Sequence, residues 1–280
     1  MNNGYMEKYI FKDGKELPYI SSRQNPRVSA AAKLADKKYR EKSRSFLCEG
    51  VKLTLEAARW GVLLEVYVRE SSAEELRGAV DAAEAAGSAL WVLSDPAFDK
   101  ITTERSPQGI ISVAAFGDTS DNEVLSDGGM ILFLDSVRDP GNLGTILRSA
   151  CALGGAGVVL HSCADVYNTK TVRAAMGAIF KTDITLVDDG VEYIRRCKKC
   201  GRRVLAAALS DESMILGEYA AESRDVIVIG NEGHGISRQL LAECDGTVLI
   251  PMEENTESLN ASVAASVILW EYARSKHKNH

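Results

Sequence analysis

Between residues 130 and 275, short continuous runs of mostly apolar residues alternate with stretches of helical periodicity. The runs are MILFLD (130–135), GVVL (157–160), ITLV (184–187), VLAAAL (204–209), VIVIG (226–230) and TVLIP (247–251). A strand with one wet face alternates apolar and polar residues, whereas one apolar throughout is covered on both faces. The pattern therefore predicts an α/β domain with a parallel sheet between helices over 142–153, 169–180, 190–200, 237–243 and 260–275. Ligands of such sheets bind beyond the C-terminal ends of the strands, so the loops that follow each run are the places to look for chemistry.

The chain of 280 residues is long for one domain. Its first part reads as a smaller α/β module. Val28, Ala31, Leu34 and Ala35 share one helix face, and Val51, Leu55 and Ala58 share another. VLLEVYV (62–68), LWVL (90–93) and GIISVAAF (109–116) supply strands. Ser72 and Glu75 have capping-box spacing before a helix carrying Leu76, Ala79, Val80 and Ala83. The polar segment 117–129 has no sustained periodicity, so the expected organisation is a first domain over 1–117, a linker over 118–129 and a second domain over 130–280.

No apolar run approaches the ~20 residues that span a bilayer, and the N-terminus is too charged for a signal peptide. The six cysteines lack the spacing of a disulfide scaffold. The expectation is a cytoplasmic protein with no membrane partner.

The net charge of −6 argues against a polyanionic partner until the charges are located. Between Arg23 and Arg44, eight Lys and Arg residues face only Asp36 and Glu41, a local balance of +6. A second knot over Arg195–Arg203 holds six cations in nine residues. Such clusters are the footprint of a nucleic-acid binder, although solvated helix faces look the same in sequence.

Three loops carry candidate chemistry. After MILFLD comes SVRDPGNLGTILR, where Pro140-Gly141 suits a type II turn and Asn142 can cap the next helix. Arg148 then lies less than two turns into that helix, near the ligand edge, where a guanidinium fork and helix N–H groups could meet an anion. After VIVI comes GNEGHG, whose glycines permit close backbone approach and display Glu232. After TVLIP comes MEENTESLN, where Ser258 or Asn260 can cap the last helix. A small-residue face on that helix, Ala261, Ala264 and Ala265, could take another element at close range.

These segments are recognisable. DPGNLGTILRSACALG, VIVIGNEGHGIS and LIPMEENTESLNASVAAS resemble, in order and spacing, the three motifs of the SpoU/TrmH family of RNA ribose 2′-O-methyltransferases, within the SPOUT superfamily. SSRQNPRV, the basic helix, FLCEGVKL and SPQGIIS resemble the L30e-like substrate-binding domain that often precedes it. One departure is Ala175, where family members often carry Ser.

The resemblance implies a deep trefoil knot in the C-terminal domain, a topology that periodicity never suggests because knots are so rare. It implies S-adenosyl-L-methionine as cofactor, with backbone contacts at Gly230, Ile250 and Leu259, and a homodimer that places the last helix at its interface. Carried over by position, Asn142, Arg148, Glu232, Ser258 and Asn260 are the catalytic residues. Arg23, Arg27, Lys37, Lys38, Arg40 and Arg44 are the expected RNA contacts, and no metal is expected. The substrate implied is structured RNA, 23S ribosomal RNA ahead of tRNA, because this first domain usually accompanies ribosomal substrates.

The alternative is an RNA-binding protein that keeps the fold without catalysis, against which the intact motif residues argue. A serine hydrolase fits poorly, since Ser258 lies outside any G-x-S-x-G elbow. A zinc site fits poorly too, since Cys197-x-x-Cys200 has no second pair.

Overall fold

A computed structural model describes residues 7–117, 124–125, 128–154, 157–210, 212–219, 221–253 and 258–278. They form two compact units, Met1–Gly117 with Tyr167–Phe180, and Asp118–Val166 with Lys181–His280.

The first unit holds a mixed sheet of β1 (Lys8–Ile10), β2 (Glu16–Ile20), β3 (Ser45–Glu49), β4 (Leu63–Arg69), β5 (Ala89–Leu93) and β6 (Ile110–Ala115), in the order β1-β2-β5-β4-β6-β3. β2, β5 and β4 are parallel neighbours, while β6 runs antiparallel to β4 and β3. Its helices are α1 (Pro26–Lys33), α2 (Lys37–Ser43), α3 (Val51–Arg59), α4 (Arg77–Ala85) and the short α5 (Asp95–Phe98).

Three local expectations are corrected here. The single basic helix is two helices, because the Asp36 side chain accepts the Lys38 N–H and starts α2 afresh. The buried side of α3 is Leu53, Thr54 and Ala57, leaving Leu55 exposed. No capping box forms at Ser72, since Glu70–Ser72 is a 3₁₀ turn and α4 starts only at Arg77 without a side-chain cap. At the start of α3, the Gln108 side chain reaches across and accepts the Val51 N–H at 3.1 Å. FLCEGVKL and SPQGIIS therefore meet at the start of α3.

The segment Tyr167–Phe180, with α7 (Thr169–Ala175), groups with this first unit, although the sequence reading places it in the second domain. The cause is aromatic. Tyr167 stacks on Phe116 at 3.7 Å between ring centroids, and Phe46 lies 4.8 Å from Tyr167 and 6.1 Å from Phe180. Ala175 is fully buried, a place where a serine hydroxyl would need its own partner.

The second unit is a parallel sheet, β7 (Ile131–Asp135), β8 (Val158–His161), β9 (Ile184–Val187), β10 (Val204–Ala207), β11 (Met214–Ile215), β12 (Val226–Ile229) and β13 (Gly246–Leu249), in the order β11-β13-β10-β12-β7-β8-β9. Every pairing is parallel, as the unbroken apolar runs require. The helices are α6 (Pro140–Ala152), α8 (Gly190–Lys199), α9 (Arg238–Glu243) and α10 (Ala261–Lys278).

Of the expected linker, residues 118–123 and 126–127 lie outside the described residues. Val124 and Leu125 do not behave as a linker: both are buried in the core of the second unit with Phe133, Val159 and Tyr193. Their carbonyls accept the buried Arg202 guanidinium.

Arg202 belongs to the second basic knot, and the knot is largely occupied. Arg195 pairs with Glu243 at 2.6 Å, Lys198 with Asp245 at 2.7 Å, and Arg203 with Asp225 at 2.7 Å. Arg196 lies over the Tyr193 ring. These cations hold α8 and β10 in place, so the nucleic-acid reading of this cluster is dropped. Cys197 is fully buried, and burial pushes its thiol up to about 12.

Candidate active site

The site gathers where β7, β12 and β13 end in the second unit. Asp139, not Asn142, caps α6: its carboxylate accepts the Asn142 N–H at 2.8 Å. Pro140 and Gly141 are the first helical residues and form no separate turn, because proline's fixed φ already suits a helix start. The Asn142 side chain is thereby freed to face the other loops.

That side chain links the motifs. Asn142 Nδ2 donates to Glu232 Oε1 at 2.7 Å, and Asn142 Oδ1 accepts from Asn260 Nδ2 at 3.1 Å and Ser262 Oγ at 3.4 Å. Asn260 also caps α10, its Oδ1 accepting the Ser262 N–H at 2.9 Å. Three residues separated by 90 and 118 positions thus form one hydrogen-bonded chain. Each amide end is matched to its partner, which fixes the flip of both asparagines.

Ser258 and Arg148 do not join this chain. Both are exposed, and neither makes a hydrogen bond or ion pair among the described residues. Because α6 starts at Pro140, Arg148 lies more than two turns in, beyond the free N–H groups of the first turn. The shared anion grip read from sequence is therefore not available. Arg148 follows Asn142 by six residues, which turns it about 240° around the helix axis, away from the Glu232 contact.

Behind the chain sits a second layer that the sequence reading missed. Asp135, buried at the end of β7, accepts from Ser237 N at 2.8 Å and lies 3.0 Å from His161 Nδ1. Asn231 Nδ2 donates to Ser136 O at 2.9 Å, while its Oδ1 accepts the Gly233 and His234 N–H groups at 2.9 and 3.1 Å. An acid closing an apolar strand was a visible signal for Asp135; nothing in the sequence marks Ser262.

Gly230 is required by the loop itself. A Cβ there would lie 2.2 to 2.4 Å from the backbone of Gly235 and Ile236, because the loop folds back through a bridge between Asn231 and Gly235. Gly230 follows β12 and Ile250 follows β13, with β10 paired between those strands. Past β10, Leu209 is 80% exposed, and Met252 beyond β13 is also exposed. Leu259 is half-buried ahead of α10, and residues 254–257 of the third motif lie outside the described residues. Apolar side chains beside strand ends with backbone groups to offer suit an adenosyl group: a flat ring with polar edges. Among the described residues, no group of three or more His, Cys, Asp or Glu is placed to hold a metal. Nor is any helix among them long and apolar enough to cross a membrane.

In the first unit, Arg23, Lys37, Lys38 and Arg44 are exposed; Arg44 lies 4.9 Å over the Phe116 ring. Arg27 lies 4.3 Å over Trp91 and 3.5 Å from Glu65. Arg40 corrects the sequence reading. It is 2% exposed and its Nη1 donates to Leu34 O at 2.6 Å, satisfying a carbonyl left open where α1 ends. It is a structural arginine and not a phosphate contact.

The sequence matches the SpoU rRNA Methylase family over residues 129–270 and the MRM3-like substrate binding domain over residues 25–112. It is 33% identical over 257 residues to the 23S rRNA (guanosine(2553)-2′-O)-methyltransferase RlmP of Bacillus subtilis, covering 91% of this chain and 98% of that protein. An uncharacterized tRNA/rRNA methyltransferase of Mycolicibacterium vanbaalenii is 30% identical, covering 89% and 83%. The crystal structure of an AdoMet-bound rRNA methyltransferase from Sinorhizobium meliloti superposes with a TM-score of 0.81 at 29% identity, covering 93% of this chain and 98% of that one.

Proposed function

Because the chain belongs to the SpoU rRNA Methylase family, we propose that it methylates a ribose 2′-hydroxyl of structured RNA, 23S ribosomal RNA in particular, in the cytoplasm. The cofactor is S-adenosylmethionine, which supplies an activated methyl group on a sulfonium. Gly230, Ile250 and Leu259 would hold it through backbone groups, beside Leu209 and Met252.

The observation that carries the reading is the Glu232–Asn142–Asn260 chain, which joins the three strand-end loops inside the matched region. Asn142 Nδ2 donates to Glu232 Oε1 and Asn231 Nδ2 to Oε2 at 3.4 Å, which steadies the carboxylate; its remaining lone pairs accept a hydrogen bond from the ribose hydroxyl. Arg148 grips the neighbouring phosphate and orients the 2′-oxygen; a guanidinium is not deprotonated in proteins, so it does not serve as the base. Fixing both reactants in this way supplies much of the rate. The test is to map 2′-O-methyl sites in RNA from cells with and without the gene, then restore the missing mark with purified protein and S-adenosylmethionine. A lost mark in tRNA would move the substrate, and no lost mark would remove the activity.

The active form we propose is a homodimer. Arg148 faces away from the Asn142 chain, which leaves it to serve the site of a second copy. The small face expected at the interface is covered within the chain, Ala261 and Ala265 being buried, while Val263 and Trp270, one heptad apart on α10, are 47% and 57% exposed. Light scattering should give about twice 30.3 kDa, and Trp270→Glu should yield an inactive monomer. A wild-type monomer with full activity would overturn the shared site.

The exposed cations of the first unit are the proposed RNA grip, since Lys and Arg gain affinity by releasing counterions. Lys37→Ala, Lys38→Ala and Arg44→Ala combined should weaken RNA binding and flatten its salt dependence, leaving cofactor binding unchanged. Arg40→Ala should instead lower the melting temperature. An unchanged salt slope in the triple variant would return these residues to a solvated face.

A further inference from the structure

Beside the Asn142 chain lies a cleft of about 420 Å³ lined by Asp135, Ser136, Arg138, Asn231, His234, Gly235 and Ser237. Its walls are the loops after β7 and β12, the same loops that present Asn142 and Glu232. Two of its side chains have no structural task that explains them. Arg138 is exposed and makes no ion pair or hydrogen bond among the described residues. His234 is exposed and touches only its own loop, Nδ1 lying 3.2 Å from Asn231 Oδ1.

The walls are held fixed. Asn231 ties the second loop to Ser136 O, and the buried Asp135 ties β7 to Ser237 N and His161. Ser136 itself adopts a left-handed conformation, φ 59°, so the turn that aims Arg138 is strained.

The polarity of the lining selects a ligand. Asn231 Oδ1 already accepts two backbone N–H groups, so it is the acceptor toward His234 as well. His234 Nδ1 then carries the hydrogen, so in the neutral ring Nε2 keeps the lone pair on a side chain that lines the cleft. Arg138 offers a planar fork of donors. A phosphate is disfavoured here because the Asp135 carboxylate lines the same cleft and Glu232 lies next to it. A neutral base with two adjacent acceptors and one donor fits: guanine has O6 and N7 for the arginine fork and N1–H for the histidine lone pair. Adenine offers N7 with an amino group, and the pyrimidines lack N7.

We propose that this cleft receives the base of the target nucleotide, that the base is an unpaired guanine, and that Arg138 and His234 determine that specificity. The inference rests on the methyltransferase reading above, with which it shares the Asn142 and Glu232 loops. It deepens that reading by naming the nucleotide. Unpaired bases are the ones whose Watson–Crick and Hoogsteen edges are both open to a protein, so the target lies in a loop or bulge.

The experiment has two arms. In the first, the wild-type dimer and S-adenosylmethionine act on ribosomal RNA from cells lacking the gene, and the product nucleosides are identified by mass spectrometry. The expected product is 2′-O-methylguanosine. Arg138→Ala should lower kcat/KM roughly 10- to 100-fold, the usual worth of one bidentate base contact, with cofactor titration unchanged, and Arg138→Lys should recover little of it. A different 2′-O-methylnucleoside, or an Arg138→Ala variant as active as wild type, overturns the guanine assignment and leaves the methyltransferase reading standing.

The second arm needs no methyl transfer. Guanosine and inosine 5′-monophosphates should shift the His234 ring signals in NMR titrations, and adenosine and uridine 5′-monophosphates should not. If no RNA is methylated, the enzymatic reading fails while this arm still decides the cleft. Equal shifts from all four nucleotides, or none from any, overturn the proposal.

Discussion

Replacing Arg148 with alanine should cut single-turnover methylation of the mapped RNA by roughly 10²–10³-fold, the usual cost of removing one preorganised charged contact from a reacting centre. Folding and cofactor titration should be unchanged, because the side chain is exposed and makes no hydrogen bond or ion pair among the described residues. Arg148→Lys should rescue poorly, since an ammonium keeps the charge and loses the planar two-pronged grip. The direction of Arg148, turned away from Asn142 around α6, adds a test of the shared site. Mixing Arg148→Ala subunits with subunits carrying Glu232→Gln should restore activity in part, because each heterodimer keeps one intact pairing of Arg148 from one chain with Glu232 from the other. Near-wild-type turnover in the alanine variant would remove Arg148 from the mechanism. Full activity of the lysine variant would reduce its role to bare charge, and absence of complementation would place Arg148 at its own chain's site.

The largest loss of stability is expected from Asp225→Ala. Asp225 is fully buried at the start of β12, where it accepts from Arg203 Nε at 2.9 Å, Arg203 Nη2 at 2.7 Å, Glu222 N at 3.0 Å and the Tyr272 hydroxyl. Tyr272 lies on α10 and also shares a hydrogen bond with Tyr219 at 2.9 Å, so one carboxylate ties the last helix to the sheet. Removing it takes the bidentate carboxylate from Arg203, which keeps Glu222 at 3.6 Å, and one of two hydrogen-bond partners from Tyr272. Breaking a fully buried pair costs ~3–5 kcal/mol, and the 28% exposure of Arg203 lowers the figure here. Urea unfolding should read that loss. The paired change Asp225→Asn should cost less, because the amide oxygen still accepts from Tyr272. A shift below 1 kcal/mol for the alanine variant would show the network to be dispensable.

The same network gives stability a direction with pH. Burial first, and then the hydrogen bond to Asp225, push the Tyr272 phenol well above its ordinary 10.0. A group whose folded value is raised contributes fully below its unfolded value, and that contribution is lost as pH climbs above it. Stability should therefore fall with rising pH beyond about 10, and Tyr272→Phe should flatten that fall.

Sequence alone was sufficient wherever one local rule governed the outcome. Strands that are almost continuously apolar belong in a covered parallel sheet, and all the pairings of the second unit are parallel. The loops that carry Asn142, Glu232 and Asn260 stood out because each follows a strand end, where the register of a parallel sheet brings loops together regardless of their separation in sequence; the family resemblance singled out these three residues within them. The trefoil knot is implied by family resemblance alone, since periodicity carries no information about threading.

Tertiary structure decided the fate of every charge. Arg40, Arg202 and Arg203 read in sequence as free cations beside Lys37 and Lys199, yet each turns inward toward a carbonyl or carboxylate that has lost its water. An arginine cannot signal from its neighbours whether it will be buried, because the acceptors it satisfies lie at the ends of other elements. The same holds for Ala261 and Ala265, whose small side chains suited a dimer seam and instead lie buried within the chain. Burying an apolar or charged side chain depends on what the whole chain brings against it, and that is fixed only when the sheet has closed and its helices have docked.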